Sequence, residues 1–332
     1  QSSNQQIITS SNELTVTTMD TTSHEFSWQS WEFGTIGSST LYDVAIIDEN
    51  DIWAVGEINI ADTSINGYTT YNAVHWDGTK WELKRILYKG GFWSIRTIFA
   101  FSSNDIWFSG YVRYLNGQFI ELTIPDILIG WGINKLWGSS SEDLYAVGNN
   151  GNIAHWDGRK WTKIESGTDL NFIDIYGSTD SKTGEQQILA VCTRNLPLDK
   201  GIYRIEGNTA TQISSAPIQW ELFALWFIPN RHYYVVGSGI YEKKFLSDST
   251  WKNGPLDITH YGTTGIRGNE LNNVFVAGAF GEFLHFNGIT WKSYINELGW
   301  FNGSYGGVAL KDNMVITVGY ESAKAKILIG KK

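Results

Sequence analysis

Six charged residues stand within or beside short apolar segments where small or aliphatic side chains are the norm: Asp43, Arg96, Lys135, Asp174, Glu221 and Arg267. Two carboxylates flanking one bond are the equipment of a glycosidase, provided they stand roughly 5–9 Å apart. Asp43, Asp174 and Glu221 are the candidates for that role, but their separation is not written in the sequence, and no catalytic residue is assigned. The competing expectation is mutual neutralisation of opposite charges around a solvated passage. A second set is aromatic. Trp93, Trp131, Trp220 and Tyr261 each lie five residues before an aliphatic residue of such a segment, namely Ile98, Leu136, Leu225 and Ile266. An aromatic face meets the C–H groups of a sugar or an apolar ligand while polar neighbours bind hydroxyls. At the same offset Ser39, Leu170 and Gly303 show that the turn does not require an aromatic; packing between elements is the other reading.

The histidines look like a metal set until their context is read. His75, His155 and His285 each precede an aromatic residue and then Asp-Gly or Asn-Gly, so they are copies of one position and not partners. No phosphate-binding glycine loop, nucleophile elbow or Cys/His cluster with metal spacing is present, and neither cofactor nor metal is expected. Cys192 is single and reads as a small buried residue. The net charge of −9 without a basic stripe argues against nucleic acid. No apolar run is long enough to span a membrane.

The elements that must position these residues come from a repeat. Its cleanest copy, DLYAVGNNGNIAHWDGRKW (143–161), reads as a strand ending in glycine, a tight turn, a returning strand, a second turn at Asp157-Gly158 and a third strand opened by Trp161. The unit recurs as DIWAVG (51–56) with HWDGTKW (75–81) and as NVFVAG (273–278) with HFNGITW (285–291). Weaker copies end at Gly110, Cys192, Gly237 and Gly319. Between Gly56, Gly110, Gly148, Cys192, Gly237, Gly278 and Gly319 the steps are 54, 38, 44, 45, 41 and 41 residues. A period near 40–45 is that of propeller blades.

The chain is therefore expected to be all-β, a seven-bladed β-propeller with four antiparallel strands per blade over residues 24–332, preceded by a polar segment, 1–23. Sixteen each of Trp, Tyr and Phe with 35 Gly and 5 Pro suit packed sheets joined by tight turns. The last blade lacks an outer strand before Lys332, and HEFSWQSWEFG (24–34) supplies one, so the ring should close through the N-terminal strand. The charged set then lines a central channel and the aromatics surround its mouth. On the same face the insertion EINIADTSINGYTTYN (57–72), with Tyr68 and Tyr71, is a candidate binding loop or a tolerated excursion; TRNLPLDK (193–200) is a shorter one.

Repeats reading DIWAVG and HWDGxxW resemble those of bacterial exported and lipoprotein-type β-propellers, related in turn pattern to Asp-box and sialidase-like repeats. Residues 11–23 resemble the last strand and exit linker of a fibronectin type III module. These resemblances imply an extracellular or cell-envelope protein with a further module upstream, and no particular activity. A nucleotide-sugar transferase would need an α/β nucleotide-binding domain, for which there is no room. The expected function is a binding or interaction module with its ligand at the channel mouth. Carbohydrate is the favoured ligand, stacked on Trp93, Trp131, Trp220 and Tyr261 and hydrogen-bonded by Arg96, Lys135, Asp174 and Glu221, with Tyr68 and Tyr71 beside them. A surface protein is the other partner considered. The alternatives are a carbohydrate-active hydrolase or lyase and a structural assembly protein.

Overall fold

A computed structural model describes residues 20–123, 132–194, 199–255 and 257–332. In it the repeated segments ending in glycine are second strands, each paired antiparallel with an inner strand before it and a third strand after it. Seven four-stranded sheets result. Their inner strands, Thr40–Asp48, Ile98–Ser102, Ile133–Ser140, Asn171–Thr179, Leu222–Ile228, Thr263–Glu270 and Gly303–Lys311, stand side by side in chain order, and the last abuts the first. The protein is a seven-bladed β-propeller.

Ring closure follows the expectation. Ser27–Phe33 pairs antiparallel with Lys324–Lys331 as the outer strand of blade seven. Just upstream the chain runs along blade six: the Thr22 N–H donates to the Asn287 carbonyl (3.2 Å), and the Tyr294 hydroxyl to that of His24 (2.7 Å). The N-terminal segment thus ties blade six to blade seven. Residues 1–19, which hold most of the fibronectin-like stretch, lie outside the described residues.

In five blades the glycine that ends the second strand has a steric cause. A Cβ on Gly56, Gly148, Gly237, Gly278 or Gly319 would fall 1.9–2.5 Å from a backbone carbonyl oxygen at the start of the same blade's inner strand. Backbone cannot step aside as a side chain can. Gly148→Ala is therefore expected to destabilise the fold by about 1–3 kcal/mol; a urea midpoint equal to wild type would show that this approach relaxes freely. In blade four Cys192 takes the position, fully buried. Burial pushes its thiol up to about 12, so it is an inert filler.

Blades pack on one another through aromatic residues laid over glycine. The Trp137 ring lies over Gly177 of the next inner strand, and the Trp226 ring over Gly268. Trp81 meets Trp31 and Phe33 of blade seven, Trp161 meets Trp107 of blade two, and Trp291 meets Tyr234 of blade five. Asp77, Asp157 and Asn287 serve their turns as expected, each accepting two backbone N–H bonds. Asp51, Asp105 and Asp143, each opening a second strand, take side-chain partners. Asp51 pairs with His75 (2.9 Å), Asp143 with His155 (2.7 Å) and Asp105 with Arg113 (2.6 Å), each a clip between second and third strands.

Candidate functional site: the channel and its mouth

Strand direction alternates within each blade, so the connections entering inner strands and those joining second to third strands share one face. Every inner strand except that of blade two carries a β-bulge near its start, seen as a register shift after Leu41, Ile133, Phe172, Leu222, Thr263 and Tyr305. A bulge lets two successive residues face the same side. The bulged residues Tyr42, Asn134, Ile173, Phe223, Thr264 and Gly306 accordingly join Asp43, Lys135 and Asp174 around an upper channel cavity of about 280 Å³. A lower cavity of about 260 Å³ shares Asp43, Lys135, Arg267 and Val308 with it.

The charged residues among them, together with Asp174 of the upper cavity, form a waist with an internal repeat. Asp43 in blade one accepts the Ile98 N–H (3.1 Å) and the Thr97 hydroxyl (2.9 Å) of blade two, and pairs with Lys135 of blade three (2.6 Å). Asp174 in blade four accepts the Leu225 N–H of blade five (3.0 Å) and is gripped by Arg267 of blade six through two bonds of 2.9 and 2.7 Å. Each carboxylate therefore stitches three consecutive blades together. Both aspartates are almost fully buried. Burial alone would lower the pKa of Arg267; Asp174, and then Asp43, outweigh it and raise it above the ordinary value. A glycosidase needs one carboxyl protonated and one free to attack or activate water. Here the oxygens of Asp43 and Asp174 are occupied by cations and N–H groups, so the neutralised-channel expectation fits and the catalytic one does not. Glu221, the third candidate, precedes the inner strand of blade five and lines neither of these two cavities.

Arg96 is different. It lines the upper cavity with its guanidinium over the Tyr42 ring (5.3 Å to the centroid) and makes no ion pair with a described residue.

At the mouth, Trp93 is 52 %, Trp220 49 %, Tyr261 37 %, Phe280 36 % and Trp300 57 % exposed. Trp131 lies outside the described residues. Trp93, Trp220 and Tyr261 each stand three residues before a lining residue of the upper cavity: Arg96, Phe223 and Thr264. Phe280 and Trp300 stack with planes 8° apart, and Tyr261 packs on Phe280 at 4.9 Å. Other exposed large apolar side chains on this face are Ile36, Ile65, Tyr68, Leu87 and Tyr320; among the described residues Phe119, Ile120, Phe245 and Ile289 lie elsewhere. Phe301, next to Trp300 in the chain, is buried.

Buried polar residues hold the loops that carry these aromatics. Asn72, fully buried, donates to the carbonyls of Ile86 (2.7 Å) and Trp93 (2.9 Å) and accepts the Ile86 N–H (2.8 Å). Glu282, also fully buried, accepts the N–H groups of His260 (2.7 Å) and Tyr261 (3.2 Å). Fixing loop backbone in this way reduces the entropy lost when a ligand binds.

The insertion in blade one is not a free loop. Its strands Asp51–Ala61 and Tyr68–Trp76 remain paired to the tip, and residues 35–39 hydrogen-bond along the hairpin. Tyr71 is half-buried against the core shared with blade seven, while Tyr68 stays exposed. Sequence reasoning missed the bulged ring, Phe280 and the two pinning residues. Phe280 adopts a positive φ of 57° in a hairpin turn, a conformation that a bulky residue rarely takes, and no local motif signals it.

No protein-family profile and no curated protein matches this chain. Among solved structures it is similar to YCF48 bound to D1 peptide, with 16 % identity, 92 % of this chain and 94 % of that chain covered, and a TM-score of 0.67. YCF48 from Cyanidioschyzon merolae follows at 14 %, with 92 % and 98 % covered and a TM-score of 0.62. The WD40 β-propeller domain of Doa1 stands at 12 %, with 91 % and 96 % covered and a TM-score of 0.61. At such identities the likeness establishes the propeller fold alone.

Proposed function

We propose that this chain is a recognition module without catalytic activity, and that its ligand seats on the aromatic face at the channel mouth. The observation that carries the reading is the concentration of half-exposed Trp, Tyr and Phe on that face, around a channel whose carboxylates are locked. Aromatic side chains offer large contact area at small cost in conformational entropy, and they dominate binding hot spots. A segment of a partner protein is the occupant we favour: the mouth mixes aromatic and aliphatic groups, and a propeller of similar fold, YCF48, is one bound to a peptide. A glycan is the second reading, supported by the exposed indoles of Trp93, Trp220 and Trp300. Placement outside the cytoplasm belongs to the proposal through the resemblance of the repeats to exported propellers, and fractionation of the producing cells tests it.

Peptide and glycan arrays should be probed in parallel with wild type and with a Trp93→Ala/Trp220→Ala/Trp300→Ala variant. These side chains are about half exposed, so the melting temperature should change little, while binding falls by tenfold or more. Binding that survives the triple substitution would move the ligand away from this face, and turnover of a bound glycan would reinstate the enzyme.

A further inference from the structure

We infer that the upper channel cavity is a carboxylate subsite, in which Arg96 receives an anionic group of the ligand held by the aromatic rim. The inference rests on the rim being the ligand face and adds the chemistry that the ligand must carry. Three cations, Arg96, Lys135 and Arg267, and two carboxylates, Asp43 and Asp174, line this cavity. The balance is positive, in a chain whose net charge is −9. Lys135 and Arg267 spend their charge on the aspartates, so the surplus belongs to Arg96.

Its posture suits the role. A guanidinium lying on an aromatic ring keeps its in-plane N–H groups free, and that fork matches the two oxygens of a carboxylate. Tyr42 supplies the ring, and the bulge at this residue turns it into the channel. The amide of Asn134 and the hydroxyl of Thr264 line the same space, although both have internal acceptors. Trp93 lies three residues upstream of Arg96 on the same connection. Glycines at 265, 306 and 307 keep side chains off part of the wall in blades six and seven, and the volume suffices for an acidic side chain with water. The carboxylate can come from Asp or Glu of a polypeptide or from a uronate sugar; the chemistry at Arg96 is the same.

The test uses four probes in titration calorimetry: amidated hexaglutamate, amidated hexaglutamine, hexagalacturonate and its methyl ester. Carboxylated probes should bind and their neutral counterparts should not. Arg96→Gln should weaken binding by about tenfold or more, with Arg96→Lys intermediate because it keeps the charge and loses the fork. Preference for hexaglutamate identifies a polypeptide source, and preference for hexagalacturonate a sugar. Equal binding of neutral and acidic probes, unchanged affinity in Arg96→Gln at an unaltered melting temperature, or no binding by any probe at millimolar concentration overturns the subsite. If Trp93→Ala/Trp300→Ala binds normally while Arg96→Gln does not, the subsite stands and the rim reading fails.

Discussion

Arg267→Met should destabilise the folded chain by about 3–5 kcal/mol, the expected loss when one partner of a buried ion pair is removed. Asp174 is 4 % exposed and would keep the Leu225 N–H as its remaining described partner from another blade. The guanidinium also donates to the carbonyls of Ile266 (2.7 Å) and Leu225 (3.2 Å), bonds that Met cannot replace. Because the pair joins blades four, five and six, the loss should appear as global destabilisation and not as local fraying. Replacing both partners, Asp174→Asn with Arg267→Met, should recover part of the loss, since no uncompensated charge is then buried. Urea unfolding of the four proteins in the cycle measures this. A loss below about 1 kcal/mol for Arg267→Met would place the pair with solvent-screened surface bridges and leave the waist without a structural role.

Acid should loosen the ring at its closure. The His285 ring is fully buried; its Nε2–H donates to Asn273 Oδ1 (3.0 Å), and its Nδ1 accepts from Nδ1 of His24 at 2.8 Å. His24 Nε2 in turn accepts from the Thr290 hydroxyl (3.1 Å). This chain of bonds is complete with both rings neutral, and protonating His285 would set N–H against N–H. Burial, then His24, Lys332 and Lys292, hold the His285 pKa down to about 3. Burial and Lys292 lower that of His24, with Glu25 opposing them and Lys332 adding to the depression.

A histidine whose pKa falls on folding binds its proton more readily when unfolded. Its contribution is therefore intact above about 6.5 and declines as pH falls toward 3. Each pH unit in that window removes about 1.4 kcal/mol through His285. The urea midpoint should thus drop steadily from pH 7 to pH 4, and His285→Gln should flatten the slope while lowering stability at pH 7. An equal slope in the variant would assign acid sensitivity to other groups. Hydrogen exchange should locate the first opening in strand Ser27–Phe33, whose docking the pair secures.

The periodicity of short strands and tight turns identified the blades, and the outer-strand tryptophans of residues 24–34 identified the closing strand. Both are legible because each rests on local pattern: a turn needs its glycine or asparagine, and a strand its alternation. The offset placing Trp93, Trp220 and Tyr261 five residues before an aliphatic residue also survived, since that offset spans one connection. Tyr71 did not join them, because the hairpin around it pairs to its tip and folds the ring against blade seven.

By itself, then, the amino-acid sequence determined the number of blades, the manner of closure and the face on which the aromatics emerge. Tertiary structure alone decided which charges meet across the channel, that Arg96 is left over, that bulges turn a second ring of residues inward, and that Asn72 and Glu282 hold the mouth loops. The division has a physical reason. Turns and strand alternation are set by neighbours a few residues away, whereas the partners of Asp43 and Asp174 lie about ninety positions along the chain. Which cation reaches which carboxylate depends on the circumference of the closed ring, a quantity that no local stretch encodes.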